Sequence, residues 1–355
     1  MQTTWVALTR YEPDRAALDS LLDDEPTYRV DQVWNGLYGQ LAELADITNL
    51  PGALRDRLID ELPPALTPVA ESLSDDGQTA KWLFRLGDGA TIETVLMHYP
   101  ERSTVCVSSQ AGCAMGCTFC ATGQAGFTRH LTSGEIVEQV VVAARAAKAS
   151  GRRLSNVVFM GMGEPLANFD RLWPAVTRIH DDIGLSARHL TVSTVGVVPG
   201  IRRLAAEALP VNLAVSLHAA NDRLRSSLVP LNDRYPLATL AQACHDYLEV
   251  KNRRLSFEWA LIDGVNDRPS DVDELAAYAR PLRAHVNLIP LNPTGGFATK
   301  GTPPERVAAF RDALERAGVN ATVRANRGNE IDAACGQLAA VTVRARPNRD
   351  RPPPA

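Results

Sequence analysis

The chain predicts an α/β protein built on a parallel sheet, with a small helical module in front of it. Three observations lead there. From residue 101 onward, apolar runs of strand length alternate with segments whose apolar residues recur at helical spacing. The strand-like runs are Ser155–Met160, His189–Ser193, Val211–Leu217, Leu255–Ile262 and His285–Leu291, with another near Val105. Segments such as Pro236–Val250 and Pro303–Ala317 separate them, so six βα units are expected, and strands joined in this way lie parallel and buried on both faces. Polar residues gather where the runs end, which is where βα barrels build their sites. Before residue 81 the apolar residues follow the helical period.

Length and composition are compatible with this architecture. The 355 residues, 45% hydrophobic and 22% charged, are ordinary for a globular protein with one large domain and a small one. No stretch approaches the ~18 uninterrupted apolar residues of a membrane span. Met1–Arg10 has no basic start followed by an apolar run, so a cytoplasmic protein is expected. Six cysteines, three of them crowded together, suit metal or redox chemistry in a reducing compartment better than a disulfide framework. The net charge of −4 hides an asymmetry: residues 1–100 carry −10 and the remainder +6. The basic part permits a polyanionic partner, although a solvated surface explains it equally well.

Residues 1–80 read as a helical accessory module. Val30, Val33, Trp34, Leu37 and Leu41 fall at helix spacing, and Leu54, Leu58, Ile59 and Leu62 form a second set between Pro51 and Pro63-Pro64. Residues 81–100 alternate and turn, through Gly87-Asp-Gly89 and Ile92-Glu-Thr-Val95, which predicts a connecting hairpin. The large domain is expected over residues 101–320. Within it, Thr132-Ser-Gly-Glu135 has capping-box spacing ahead of Ile136, Val137, Val140 and Val141, so a helix starts there. Residues 321–343 are expected as a C-terminal segment, without strand or helix period after Arg327-Gly328, and residues 344–355, rich in proline and charge, are expected to be disordered.

The densest chemistry lies in Gln110–Gly123, where Cys113, Cys117 and Cys120 are spaced C-x3-C-x2-C. A structural zinc site wants a fourth Cys or His, and the next candidate, His130, has no paired ligand beside it. A cubane iron–sulfur cluster prefers four thiolates, so three leave one iron with an open position for a substrate. The other reading is a reduced thiol cluster without metal, against which stands the oxidation liability of three crowded thiols. Four further strand ends carry polar groups: Gly161-Met-Gly163-Glu164-Pro165, Ser193-Thr194, Ser216-Leu217-His218 and Asn292-Pro293. Singly, each has a plain structural explanation, a satisfied buried histidine for His218 or a turn for Ser193 and Asn292. Together with the cysteine loop they point to one site.

These motifs resemble the RlmN/Cfr family of radical S-adenosylmethionine (SAM) methyltransferases, and its RlmN branch in particular. The likeness runs through Tyr28–Pro51, Cys106-Val-Ser-Ser-Gln-Ala-Gly-Cys113, Gly161–Leu166, Thr191–Pro199, Ser216–Ala219, Val286–Pro293 and Ile331-Asp-Ala-Ala-Cys335-Gly-Gln-Leu338. The resemblance implies an incomplete (β/α)6 radical SAM barrel with a [4Fe-4S] cluster on Cys113, Cys117 and Cys120, the free iron being chelated by the methionine part of SAM. It implies SAM contacts at Gly163, Glu164, Ser193, Ser216, Leu217, His218 and Asn292. It also implies a reactive Cys335, a second thiol at Cys106 and a proton-accepting carboxylate at Glu93. By themselves Cys106 reads as an inert buried thiol, Glu93 as an ordinary strand carboxylate, and Cys244 as helix packing.

The activity implied is methylation of carbon 2 of adenine in 23S ribosomal RNA and in transfer RNA, with two SAM molecules per turnover. In that scheme one SAM methylates Cys335, a second yields a 5′-deoxyadenosyl radical that takes hydrogen from the S-methyl group, and the S-CH2 radical adds to the base. Glu93 then accepts the carbon-2 proton and Cys106 frees the product as a disulfide forms. The implied partners are RNA and an electron donor such as flavodoxin or ferredoxin, with no membrane, and the protein is expected to be a monomer. Arg152-Arg153, Arg202-Arg203, Arg253-Arg254, Arg324 and Arg327 are candidates for phosphate contacts. Two other readings stand beside this one: carbon-8 methylation, as in Cfr, and a noncatalytic RNA-binding protein with a structural metal. Pro165 after Glu164 leans toward the RlmN branch, since Cfr-like proteins tend to have alanine there.

Overall fold

The computed structural model describes residues 8–74, 76–292, 300–324, 328, 331–334 and 336–338. Three helices come first, α1 (Arg15–Leu21), α2 (Tyr28–Trp34) and α3 (Gly52–Glu61), followed by a meander of β1 (Thr67–Leu73), β2 (Thr79–Arg85) and β3 (Thr91–His98). After β4 (Ser103–Cys106), a ribbon of β5 (Gln110–Gly112) and β6 (Phe127–His130) brackets α4 (Ala121–Ala125). Then come α5 (Ser133–Ala149), β7 (Leu154–Phe159), α6 (Phe169–Asp181), β8 (Leu190–Thr194), α7 (Val198–Ala206), β9 (Asn212–Ser216), α8 (Asp222–Leu228) and α9 (Leu237–Lys251). The chain continues through β10 (Leu255–Leu261), α10 (Pro269–Ala279), β11 (His285–Pro290), α11 (Pro304–Arg316) and β12 (Ala321–Val323).

One sheet joins ten strands in the order β1-β2-β3-β4-β7-β8-β9-β10-β11-β12. Pairing is antiparallel from β1 to β4 and parallel from β4 to β12. No pairing joins β1 to β12 among the described residues, so the barrel stays open. The sheet nevertheless curls, because Arg324, just beyond β12, brings its Nη1 to 3.8 Å from the sulfur of Met160 at the end of β7. Strand alternation divides the two faces. Val157, Val192, Val215, Trp259, Leu261 and Leu288 are fully buried in the core that includes helical Val140, Val176, Ile201, Leu240 and Leu275. The intervening residues Cys106, Val158, Ser193, Ser216, Glu258 and Ala260 face the barrel interior.

The expected elements are largely present, and the departures have physical causes. The spacing at Thr132 forms a capping box: Thr132 Oγ1 accepts from the Glu135 N–H at 3.2 Å, and Glu135 Oε2 accepts from the Thr132 N–H at 2.9 Å. Residues 1–80 are not helical throughout, because Thr67–Leu73 is a strand whose mostly exposed side chains leave no apolar run to read. Leu41 does not belong to the helix of Val30 and Trp34: the chain passes through a π turn at Asn35–Gly39 and leaves it with Leu41 at φ 57°. The connecting hairpin at 81–100 is part of a three-stranded meander continuous with the main sheet. A seventh parallel strand, β12, opens the C-terminal segment beyond the six expected units, and three residues are too few to show a period. The helical module docks on α5 and α6, where the Gly134 N–H donates to Glu12 Oε2 at 2.9 Å and Trp34 Nε1 donates to Asp182 at 2.8 Å. The tail at 344–355 lies outside the described residues. No helix among the described residues is long and apolar enough to cross a membrane.

Candidate active site

The barrel interior holds a cavity of about 200 Å³ at the carboxyl ends of the parallel strands. The cysteine loop forms its cap. The β5–β6 ribbon closes the base of this loop, and the Cys113 N–H donates to the Gly126 carbonyl at 2.8 Å. Within the loop, Thr118 N–H donates to Leu228 O at 3.1 Å. Cys117 is buried and Cys113 and Cys120 are half-buried, and all three line the cavity. His130, the next candidate downstream for a fourth zinc ligand, is bonded instead through Nδ1 to Gln110 at 2.9 Å.

Glycines let the second strand end approach the first. A Cβ at Gly161 would lie 2.7 Å from the Val107 carbonyl, and one at Gly163, whose φ is +101°, would lie 2.5 Å from Gln110 Cβ. Both positions therefore need glycine. Gln110 in turn accepts from the Glu164 N–H at 2.8 Å. The Glu164 carboxylate bridges two strand ends, accepting from Leu166 N at 3.0 Å and from Val195 N at 2.8 Å. Burial pushes its pKa up to about 7, against the pull of these donors.

Ser193 donates its hydroxyl to Phe159 O at 2.8 Å, at the top of the neighbouring strand. His218 stands at φ 59°, accepts from Ala260 N through Nδ1 at 2.9 Å, and meets Phe119 edge-on with ring centroids 4.6 Å apart. Burial lowers its pKa to about 3, so the ring is neutral, with Nε2 carrying the proton.

Gly163, Glu164, Ser193, Ser216, His218, Asn292 and Cys106 line the same cavity as the three cysteines. Leu217 does not reach it: its side chain is fully buried in the outer core, and its backbone is engaged by Glu258 and Arg225. Glu93 lies beside the wall, two residues before the lining residue Val95, with its carboxylate 3.0 Å from Lys81 Nζ. Cys335 and Arg327 fall outside the described residues. The neighbours of Cys335, Ala334 and Gly336, line the cavity, and the Ala121 N–H of the cysteine loop donates to Gly336 O at 2.8 Å. Cys244 is packed in the core of α9, as read.

Sequence reasoning missed three groups. Glu258 stands on the inner wall, accepting from Asn287 at 2.7 Å and Ser256 at 3.0 Å and facing Arg324 at 3.4 Å. The period-two polar residues of Leu255-Ser-Phe-Glu-Trp-Ala-Leu261 were the signal that could have found it. Arg225, 1% exposed, donates to the carbonyls of Val195 at 2.6 Å and Leu217 at 3.2 Å, tying the ends of β8 and β9 together beneath the loop. Lys81, on β2, is the third.

The donor set fits an iron–sulfur cluster better than a single ion. Among the described residues, the one trio of His, Cys, Asp or Glu ligand atoms mutually within 4.8 Å is the surface set His245, Asp246 and Glu249. Cys113, Cys117 and Cys120 line one cavity as three thiols, one short of the four ligands of a closed structural zinc site. A cubane iron–sulfur cluster held by three thiolates would keep one iron open to the cavity. Burial pushes the Cys113 thiol up to about 12 and raises Cys117 as well, so binding iron must displace their protons.

Comparison with known proteins agrees with this geometry. Residues 107–279 match the radical SAM superfamily. The chain is 55% identical over 333 residues to the "Probable dual-specificity RNA methyltransferase RlmN" of Parafrankia sp., covering 89% of this chain and 86% of that one. It is 51% identical over 345 residues to the protein of the same name from Chloroflexus aurantiacus, covering 93% and 92%. The crystal structure of a radical SAM methyltransferase from Sphaerobacter thermophilus superposes with a TM-score of 0.91 at 52% identity, covering 94% of this chain and 100% of that one. The chain belongs to the radical SAM superfamily and, within it, to the RlmN family of RNA methyltransferases.

Proposed function

We propose that the protein methylates carbon 2 of an adenine in 23S ribosomal RNA and in transfer RNA. Cys113, Cys117 and Cys120 would hold the cluster, and Gly163, Glu164, Ser193, Ser216, His218 and Asn292 would line the SAM site. The observation that carries this reading is one cavity lined by the three cysteines, by Cys106, and by both neighbours of Cys335. Carbon 2 lies between two ring nitrogens and is electron-poor, so it cannot displace the methyl group of SAM as an amine would. When bound, the cluster and SAM supply a transferable methyl group, a carbon radical that removes hydrogen, and an acceptor for the electron that the base radical gives up.

The chain's own residues do the rest. The Cys335 thiolate takes the methyl group by displacement and, after losing one hydrogen atom, its S-CH2 carbon bonds to carbon 2 of the base. Glu93 takes the proton that leaves carbon 2. The Cys106 thiolate then attacks the Cys335 sulfur: the S–S bond forms, the S–C bond breaks, and its electron pair goes to the methylene carbon, which takes up a proton and becomes methyl. A thiol reductant reopens the disulfide. Neutral His218 offers an N–H donor in the cavity, and Glu164 holds two strand ends in place beside it.

Residues 1–80 would act as an accessory module and 101–320 as the catalytic domain, joined by 81–100 and completed by the segment 321–343. The protein would work as a monomer with flavodoxin or ferredoxin as electron donor. Mass spectrometry of RNA from cells with and without the protein tests the product: 2-methyladenine is expected, and 8-methyladenine or no change would refute the reading. A denaturing gel tests the thiols. Cys106→Ala is expected to leave protein crosslinked to RNA, and Cys335→Ala and the double variant are not.

A further inference from the structure

We infer that Lys81 is a positioning residue for this reaction, its ammonium tying the Glu93 carboxylate to the C-terminal segment just ahead of Cys335. The inference rests on the roles proposed above for Glu93, Cys106 and Cys335. Lys81 Nζ lies 3.0 Å from Glu93 Oε1 and donates to the Asp332 carbonyl at 3.2 Å, three residues before Cys335. Both charged side chains are almost wholly out of water, at 5% and 3% exposure. A buried ion pair of this kind is a poor source of stability compared with two apolar residues in its place, so a role in arranging the site is the better account of it.

The sheet register places the pair where the chemistry would need it. Lys81 stands opposite Val95, and Val95 stands opposite Cys106, so one cross-strand row runs from the lysine through the cavity wall to the thiol. Two strand spacings of ~4.8 Å put the two backbones about 10 Å apart. Glu93 is on the same face of β3 as Val95, and the ammonium reaches it diagonally. The segment before Cys335 is seated on the same strand: the Ala333 N–H donates to Gly328 O at 2.8 Å, and a Cβ on Gly328 would come within 3.0 Å of Thr79 Cγ2. Lys81 thus holds the Glu93 carboxylate against the backbone of Asp332, on the strand row that leads through Val95 to Cys106.

The test compares Lys81→Met, Glu93→Gln and the double variant, prepared with iron and SAM, for turnover on RNA and for crosslinked RNA on a denaturing gel. If the two residues act as a unit, Lys81→Met lowers kcat about 100-fold while KM for RNA and iron content stay near wild type, and crosslinked RNA accumulates. The double variant is then no more than about threefold slower than Glu93→Gln, because members of a unit are not additive. Wild-type kcat in Lys81→Met, a loss confined to KM, or losses that multiply in the double variant would each overturn the inference. Should Lys81→Met fail to fold, the double variant, which removes both charges, is compared with Glu93→Gln by the same criterion. Cys106→Ala is run alongside. If it gives no crosslink, the thiol roles are wrong, and the kcat comparison still decides the question of Lys81.

Discussion

Replacing Glu138 by glutamine should stabilise the protein at pH 8 and leave it unchanged at pH 4.5. Glu138 projects from α5 at 4% exposure, and its Oε2 accepts from the Ala65 N–H at 2.9 Å, where the chain leaves the helical module. Burial pushes its carboxyl up from 4.5 to about 7, against the backbone donors and the charge of Arg10. Below pH 4.5 both the folded and unfolded chains hold the proton, and nothing is lost. Between 4.5 and 7 the unfolded chain releases it first, so stability falls as pH rises, and above 7 the loss is complete. At 1.36 kcal/mol per pH unit the gap is worth about 3 kcal/mol. For a chain of 355 residues, with an unfolding entropy of ~2.1 cal/mol/K per residue, this is about 4 °C in Tm. Glutamine keeps an oxygen for the Ala65 N–H and carries no charge. Thermal unfolding of both proteins from pH 4.5 to 8 is the assay. Curves that run parallel, or a variant that melts below wild type at pH 8, would refute the reasoning.

Cys113→Ala, Cys117→Ala and Cys120→Ala should each lose the bound iron measured after anaerobic reconstitution, and with it all SAM cleavage; full iron content in any of them would exclude that residue as a ligand. Gly163→Ala forces a Cβ against Gln110 in a backbone region that costs about 1–3 kcal/mol for a side chain, so SAM affinity measured by calorimetry should drop at least about tenfold while iron content is retained. Arg225→Met strips donors from the carbonyls of Val195 and Leu217 and should cost about 3 kcal/mol in denaturant unfolding, whereas a loss under about 1 kcal/mol would show that water replaces the guanidinium.

Much of the fold was legible because its signals are local. The capping box at Thr132, the six βα repeats and the polar residues closing five of the apolar runs are each written in residues close together in the chain. The cysteine loop was legible for the same reason, as ligand spacing on a loop is written in consecutive residues. Elements whose stability comes from their neighbours were not. Strand β1 is an exposed edge defined by its hydrogen bonds to β2, and β12 by its pairing with β11. Leu217 sits in a motif whose other members line the cavity, yet strand alternation turns its side chain the other way.

The sequence by itself determined the chemistry on offer: three thiols at cluster spacing, a further thiol at Cys106, and glycines where strand ends must cross closely. The tertiary structure alone decided which remote residues meet. Burial made His218 neutral, the curl of the open sheet set Arg324 against Met160, and sheet register put Lys81, Val95 and Cys106 in one row. Such pairings depend on distances between residues far apart in the chain, and on the water excluded around them, which no local run of residues encodes.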